Sequence, residues 1–434
     1  MSVLQRLTEH ISHRCRQAVT LRMKGGALYI AILVSIMIGC TLSLFMMVSY
    51  HNQRQVSTFC QSAQLYLNLK SAFELAGSSY FNIAGNDTWI KNQVNDDSIR
   101  IKKMNWGAYL LISAETRNRH QSVSSSGLYG TFMSPDTGLF ISENARPVGI
   151  SGQVILRSTC YLPSAGVKPA YIEGQSFSGM SGIQPVIKPS GTHIPDLEPD
   201  FLSAMERQLS YSDQSMDSLT EQVEIPVNRS FKHKTLVWAS APSRLEKLDL
   251  KNNVKIRGGD LLVDSSAHLE NVLIVCRSVR FKSGFKGKVH VIATDSISMD
   301  EHCEFLYPSS FTLMPDEMDG QGLKYIQFNK SCEFYGGVLA ARPARAPVGA
   351  SPVIVKLHRE SRVSGLVYSS GYLHLEGMVN ATVIAHKLLL KTPSAVYENH
   401  FLGCEVDPQK YASVMAVPLM LRPGARLVCC EKMI

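Results

Sequence analysis

Charged side chains are scarce in this chain: 18% of its 434 residues are Asp, Glu, Lys or Arg, where about 25% is usual. That shortage argues against an assembly of solvated helices. Tryptophan occurs three times, and glycine at 30 and proline at 19 are ordinary, which excludes a collagen-like or broadly disordered chain. The signatures of common chemistries are also missing. Without a CxxC pair, the usual paired-cysteine zinc and redox centres have no ligands. Without HExxH, GxSxG, a GxxxxGK[ST] loop or GxGxxG, the metalloprotease, hydrolase and nucleotide-binding readings lose their motifs. No catalytic residue, metal site or cofactor is therefore expected. Basic residues exceed acidic ones by 44 to 36, a net charge of +8, yet half of that excess lies in the first 26 residues. The remainder is only mildly basic, so nucleic acid is not expected as a partner.

One long apolar run is present. Residues 27–50, ALYIAILVSIMIGCTLSLFMMVSY, carry no charge and would span about 36 Å as a helix, enough to cross a bilayer. Arg6, Arg14, Arg16, Arg22 and Lys24 precede the run against Glu9 alone, while Arg54 and Lys70 follow it at a distance. The positive-inside rule then predicts a single-pass inner-membrane protein with a cytoplasmic N-terminus and the bulk of the chain exterior or periplasmic. A cleaved signal peptide fits less well, because its apolar region is shorter and ends in a small-residue cleavage site. Ser35, Gly39 and Ser43 recur on one face, where helices can pack closely. The helical rhythm continues through Val56, Phe59, Ala63, Tyr66, Leu67, Phe73 and Ala76.

The segment Arg22-Met23-Lys24-Gly25-Gly26, followed by Ala27-Leu28-Tyr29-Ile30, resembles the leader of type IV prepilins and minor pseudopilins. The resemblance implies peptidase cleavage after Gly26, with Ala27 as the first mature residue and the start of a long assembly helix. The family usually carries glutamate at the fifth mature position; this chain has Ala31.

Composition divides the chain into a basic arm (1–26), a transmembrane helix (27–50) and a helical extension (51–78). A mixed, β-rich exterior module (79–184) and a polar bridge with a short helix (185–235) follow, and a repeat region (236–434) is interrupted by the proline-rich 341–352. Within 248–313, apolar pairs at i and i+2 recur. Val254/Ile256, Val272/Ile274 and Val289/Val291 form one series; Leu261/Val263, Val279/Phe281 and Ile297/Met299 form another, with steps of 17 or 18 residues. After the interruption, Val363/Val379 and Val367/Val383 are 16 apart. A pair at i and i+2 shares one strand face, so recurrence at a fixed interval predicts stacked coils. The expected fold is mainly β: a transmembrane helix followed by a domain containing a right-handed parallel β-helix, with a mixed sandwich as the alternative. The repeats resemble those of bactofilin-type polymer-forming proteins, which implies a small β-helix. The apolar segment YASVMAVPLMLRPGARLVCCEKMI is expected to cover one solenoid end.

Of the ten cysteines, Cys303 and Cys332 share the phrase CEF, either a duplicated turn or a bridge, and Cys429 and Cys430 could hold the C-terminus against Cys404. Asp260, Asp264, Asp295 and Asp300 could serve as sugar-cleaving carboxylates or as coil corners. Arg277, Arg280, Lys282, Lys286 and Lys288 form a basic rim that could touch anionic polysaccharide or lipid headgroups. These observations favour a structural or assembly protein anchored in the bilayer: an envelope scaffold, or a component of a pilus-like or secretion assembly. An anchored polysaccharide-processing enzyme and an adhesin are the alternatives. Expected partners are the lipid bilayer, other envelope or pilus-like assembly proteins, and polysaccharide.

Overall fold

The computed structural model describes residues 25–77, 89–91, 97–134, 136–179, 185–210, 217–218, 226–239, 241–316, 322–342, 352–411, 415–418 and 427–433. The expected cytoplasmic arm, apart from its last two residues, and most of the proline-rich interruption lie outside these. The chain forms two compact units, Met1–Leu65 and Tyr66–Ile434.

The first helix, α1, runs unbroken over Gly25–Gly77. It is long and apolar enough to cross a membrane. In the first unit its large apolar side chains, including Leu33, Ile36, Phe45 and Met46, are exposed. Two hydroxyls of the apolar run are satisfied within the helix: Ser35 Oγ donates to Ala31 O at 2.8 Å and Thr41 Oγ1 to Ile38 O at 2.9 Å. A hydrocarbon environment requires such internal satisfaction.

In the second unit, the last turns of α1 bury Leu69, Ala72 and Ala76, spaced to share a face, against Ile101, Ile112 and Ala114. Asn68 Nδ2 donates to Asp97 Oδ2 at 2.6 Å beside this contact. The sheet receiving the helix is an antiparallel meander of β1 (Trp89–Lys91), β2 (Ser98–Trp106), β3 (Tyr109–Arg117) and β4 (Ser122–Thr131), and strand Leu427–Met433 pairs with β4. The C-terminal segment is thus partly a sheet strand. Alternation sends Ile101, Ile112 and Ala114 toward the helix, while Trp106, Tyr109 and Leu111 enter a second core facing the parallel strands. Gly107, at φ +57°, makes the tight β2–β3 turn, a left-handed conformation that costs glycine little.

The remaining sheet is almost wholly parallel. One row of facing residues runs Trp238, Ile256, Ile274, Val291, Phe311, Val338, Val367 and Val383, and then passes to Leu139, Cys160 and Ile187. The strand pairings join into a closed barrel. This corrects the expected right-handed β-helix, and with it the joint assignment to prepilin-like and bactofilin-like relatives. The reason is physical. A repeat interval reports which side chains stack on neighbouring strands, but closure depends on strands remote in sequence. Here Thr137–Ile141 pairs with Val383–Lys391, and Ile155–Leu156 pairs with Glu405–Val406. Nothing in the periodicity of 248–390 contains those partners.

The barrel core is rich in phenylalanine. Phe281, Phe285, Phe305, Phe311, Phe328 and Phe334 are all buried, with neighbouring ring centroids 4.7–6.2 Å apart. One corner repeats from strand to strand. The carbonyls of Leu248, Phe285, Cys303, Cys332, Ser361, Gly377 and Cys404 accept, at 2.7–3.2 Å, from the amides of His268, Glu304, Glu333, Arg362, Met378, Glu405 and Ile155 respectively. Five of these corner residues follow a residue of positive φ: Lys247, Gly284, His302, Ser331 and Gly403. The duplicated CEF phrase is therefore a repeated corner in which cysteine is the small buried residue. Asparagines form another row: Asn271 Nδ2 donates to Asn252 Oδ1 at 3.2 Å, and Asn252 Nδ2 to Asn228 Oδ1 at 2.8 Å. Asn252 and Asn271 have positive φ, a conformation their short polar side chains tolerate.

Candidate functional site

Two adjoining cavities of 340 and 320 Å³ lie beside the Thr131–Val417 bridge and share Phe132, Met133, Ser134, Thr382 and Val417 as lining. Pro408, Tyr411 and Met415 complete the first; Phe140, Tyr161 and Leu366 belong to the second. Three of the lining hydroxyls are engaged by backbone carbonyls. Thr382 Oγ1 donates to Thr137 O at 2.7 Å, Thr131 Oγ1 to Pro418 O at 3.3 Å, and Tyr411 Oη to Ala416 O at 3.4 Å. Burial raises the Tyr411 hydroxyl well above its ordinary value. The first cavity thus offers mainly apolar contact, while the second is lined by polar and apolar groups alike, and titratable groups are few in both. Sequence reasoning missed it, because its walls come from segments around 132, 382, 411 and 417 that meet only in the fold.

Polar groups concentrate instead at the junction of hairpin, short helix and barrel. Helix α2, Pro199–Leu209, begins with proline in its first turn and buries Phe201, Ala204 and Met205. Gln208 clasps the hairpin: its Oε1 accepts from Gly107 N and its Nε2 donates to Gly107 O, both at 3.1 Å. The helix C-terminus leaves carbonyls without intrahelical partners. Lys255 Nζ reaches Gln208 O at 3.1 Å, and Arg257 reaches the oxygens of Gln208, Leu209 and Ser210 at 2.8, 3.2 and 2.6 Å. Positive charge there also complements the helix dipole. Arg257→Ala should destabilise this docking by about 1–2 kcal/mol. Limited proteolysis should then cut near α2 faster than in the parent, and an unchanged cleavage pattern would sink the assignment.

His290 lies beneath the same hairpin. It is fully buried, its Nδ1 lies 2.9 Å from Ser310 Oγ, and Ser310 Oγ accepts from Ala108 N at 3.3 Å. The Ser310 hydroxyl is therefore free to donate to an unprotonated Nδ1. Burial, then the nearby Lys288, depresses the imidazole to about 3. The unfolded chain binds that proton near pH 6.5 and the folded one only near 3, so this group weakens folding as pH falls through that window. Between pH 6 and 5 the loss should be about 1 kcal/mol. Denaturation at the two pH values should show that slope in the parent and a smaller one in His290→Gln; equal slopes would refute the contribution of His290.

Each residue of the expected basic rim sits beside an acid. Arg277 pairs with Asp260; Arg280 and Lys282 with Asp300 at 2.8 and 3.8 Å; Lys286 with Glu304 at 2.9 Å; and Lys288 with Glu431 at 2.6 Å. The four candidate aspartates are engaged likewise. Asp295 holds the buried Lys324 at 2.6 Å, and Asp264 accepts from the Ser266 amide and hydroxyl, which holds its carboxyl below the usual range. The nine described cysteines are free thiols. Burial pushes Cys160 up to about 12, and it raises Cys276 and Cys404 further, consistent with inert core residues. Among the described residues, no group of three or more His, Cys, Asp or Glu side chains is arranged to hold a metal ion.

No protein-family model matches the chain, and no curated protein matches it. Among solved structures it is similar to the competence-associated pilin ComZ from Thermus thermophilus. The identity is 10%, the alignment covers 86% of this chain and 95% of that one, and the TM-score is 0.22. A score that low carries no argument about fold or role.

Proposed function

We propose that this protein is a single-pass membrane-anchored structural component that holds a β-rich platform at the membrane surface for assembly with other envelope proteins. The observation that carries the reading is helix α1: an uncharged, exposed stretch followed in the same helix by turns buried in the β unit through Leu69, Ala72 and Ala76. Exposing so much apolar surface in water would be strongly unfavourable, at about 25 cal/mol per Å², whereas hydrocarbon accepts it. A large parallel barrel with a phenylalanine core supplies a stable scaffold.

Membranes from cells making the full chain should retain it through alkaline carbonate extraction. Protease added to sealed vesicles should reveal on which side the β unit stands. Release of the intact chain by carbonate would overturn the anchor. Processing between Gly26 and Ala27 belongs to the same reading. The mature mass should begin at Ala27; an intact basic arm would remove the processing step and leave the anchor standing. An anionic-surface role for Arg277, Arg280, Lys282, Lys286 and Lys288 would require lipid or polysaccharide to displace their carboxylate partners. Exposed ion pairs such as Arg277–Asp260 and Lys286–Glu304 contribute only about 0–1 kcal/mol, so exchange there is energetically accessible, whereas the largely buried Lys288–Glu431 pair resists it.

A further inference from the structure

The outer half of the meander carries a surface the proposed anchor role does not use. Strand alternation and register place Trp89, Lys91, Arg100, Lys102, Glu115 and Arg117 on one face of β1–β3. This face is the continuation of the one that buries Trp106, Tyr109 and Leu111 against the barrel. Lys91, Lys102 and Arg117 are exposed, as is Arg119 in the turn beyond β3. Arg117 stands 3.8 Å over the Trp89 ring and Arg100 stands 5.0 Å from it. Among the described residues of these three strands, Glu115 is the one acid on the face, paired with Arg100 at 2.9 Å. Serines 98 and 113, with 122 and 124 of the adjoining β4, share the face, adding short donors between the cations.

We propose that this face binds the headgroups of anionic phospholipids. The charge is complementary, and each Lys or Arg near an anionic leaflet contributes to attraction. Trp89 supplies the amphipathic contact that aromatic residues make at the water–hydrocarbon boundary. The proposal rests on the anchor reading, because a chain inserted through α1 holds its β unit within tethered reach of a bilayer and raises the effective concentration of headgroups. Here the rim differs from the meander face: its basic residues each sit beside a carboxylate, whereas the meander face presents Lys102, Arg117 and Arg119 as exposed cations.

The test uses the full chain in nanodiscs of phosphatidylcholine, with or without phosphatidylglycerol, and reads amide hydrogen exchange. Amides of 89–91, 98–104 and 113–117 should exchange about tenfold more slowly in the anionic discs. The protection should vanish in Lys102→Glu/Arg117→Glu and at about 0.5 M salt, where screening is short-ranged. Lys102→Gln/Arg117→Gln gives the same reading with less perturbation should the reversal fail to fold. Equal exchange in both discs overturns the proposal. So does protection by soluble dextran sulfate in neutral discs without protection by phosphatidylglycerol, which would assign the face to a soluble polyanion. A chain that does not co-elute with discs sinks the anchor reading and this proposal together; one that co-elutes unprotected sinks the proposal alone.

Discussion

Gly365→Ala is expected to lower the thermal midpoint of the β unit by roughly 10 °C or to abolish accumulation of folded chain, and Gly336→Ala should do the same. The two glycines face each other across parallel strands, and Ser309 faces Gly336. Their φ values are +145° and +144°, in a region that other residues rarely adopt. A Cβ on Gly365 would stand 1.7 Å from Gly336 O, and one on Gly336 would stand 1.9 Å from Ser309 O. The obstructing atoms are backbone, fixed by the pairing that defines the sheet, so no side-chain rotation relieves the overlap. The cost should reach at least about 4 kcal/mol, the range reserved for special backbone positions and core defects. Gly259 is the matched control. It lies in the same sheet, and a Cβ added there would meet nothing within 4 Å, so Gly259→Ala should shift the midpoint by no more than about 2 °C. Equal, small shifts at Gly365 and Gly259 would refute the close stacking of Gly336 and Gly365.

These glycines also mark the limit of what the sequence discloses. GG and SG dipeptides indicate turns, but nothing in them says that Gly336 and Gly365 lie one above the other. The apolar pairs fared differently, since Ile256, Ile274 and Val291 face one another at the spacing their recurrence implies. Inward-facing residues impose a period because every strand must bury the same face. Closure left no such trace. Leu139 and Cys160 continue the row beyond Val383, although more than 220 residues separate Cys160 from it in the chain. The apolar run of α1 was legible because bilayer thickness sets its length. The junction through Gln208, Gly107 and Arg257 was not, because single polar residues acquire their meaning only from the partners that the fold brings to them. For the same reason the sequence shows the basic rim without the acids that sit beside it on neighbouring strands and turns. The meander face shows the reverse: its cations are scattered through 91–117 and gather only when β1–β3 pair.

Phe311→Ala should be the most damaging truncation in the core. The Phe311 ring is wholly buried and touches four others: Phe334 at 4.7 Å, Phe305 at 4.9 Å, Phe281 at 5.9 Å and Phe328 at 6.2 Å between centroids. Removing it loses transfer free energy and leaves a void walled by large rings on neighbouring strands, which cannot collapse without breaking backbone pairing. Such substitutions cost about 3–5 kcal/mol. Phe311→Leu, which keeps much of the volume, should cost about 1–1.5 kcal/mol. Phe132 is 46% exposed, and Phe132→Ala should stay within about 0.5 kcal/mol. The denaturant midpoint of the full chain in detergent or discs gives the ranking. A double substitution with Phe334→Ala should be less damaging than the two effects added, because both rings border the same void. Additive losses would mean that the rings act independently. A Phe311→Ala midpoint equal to that of Phe132→Ala would mean that the aromatic stack does not hold the barrel together. The platform reading depends on that stack, since a scaffold presented at a membrane must keep its shape.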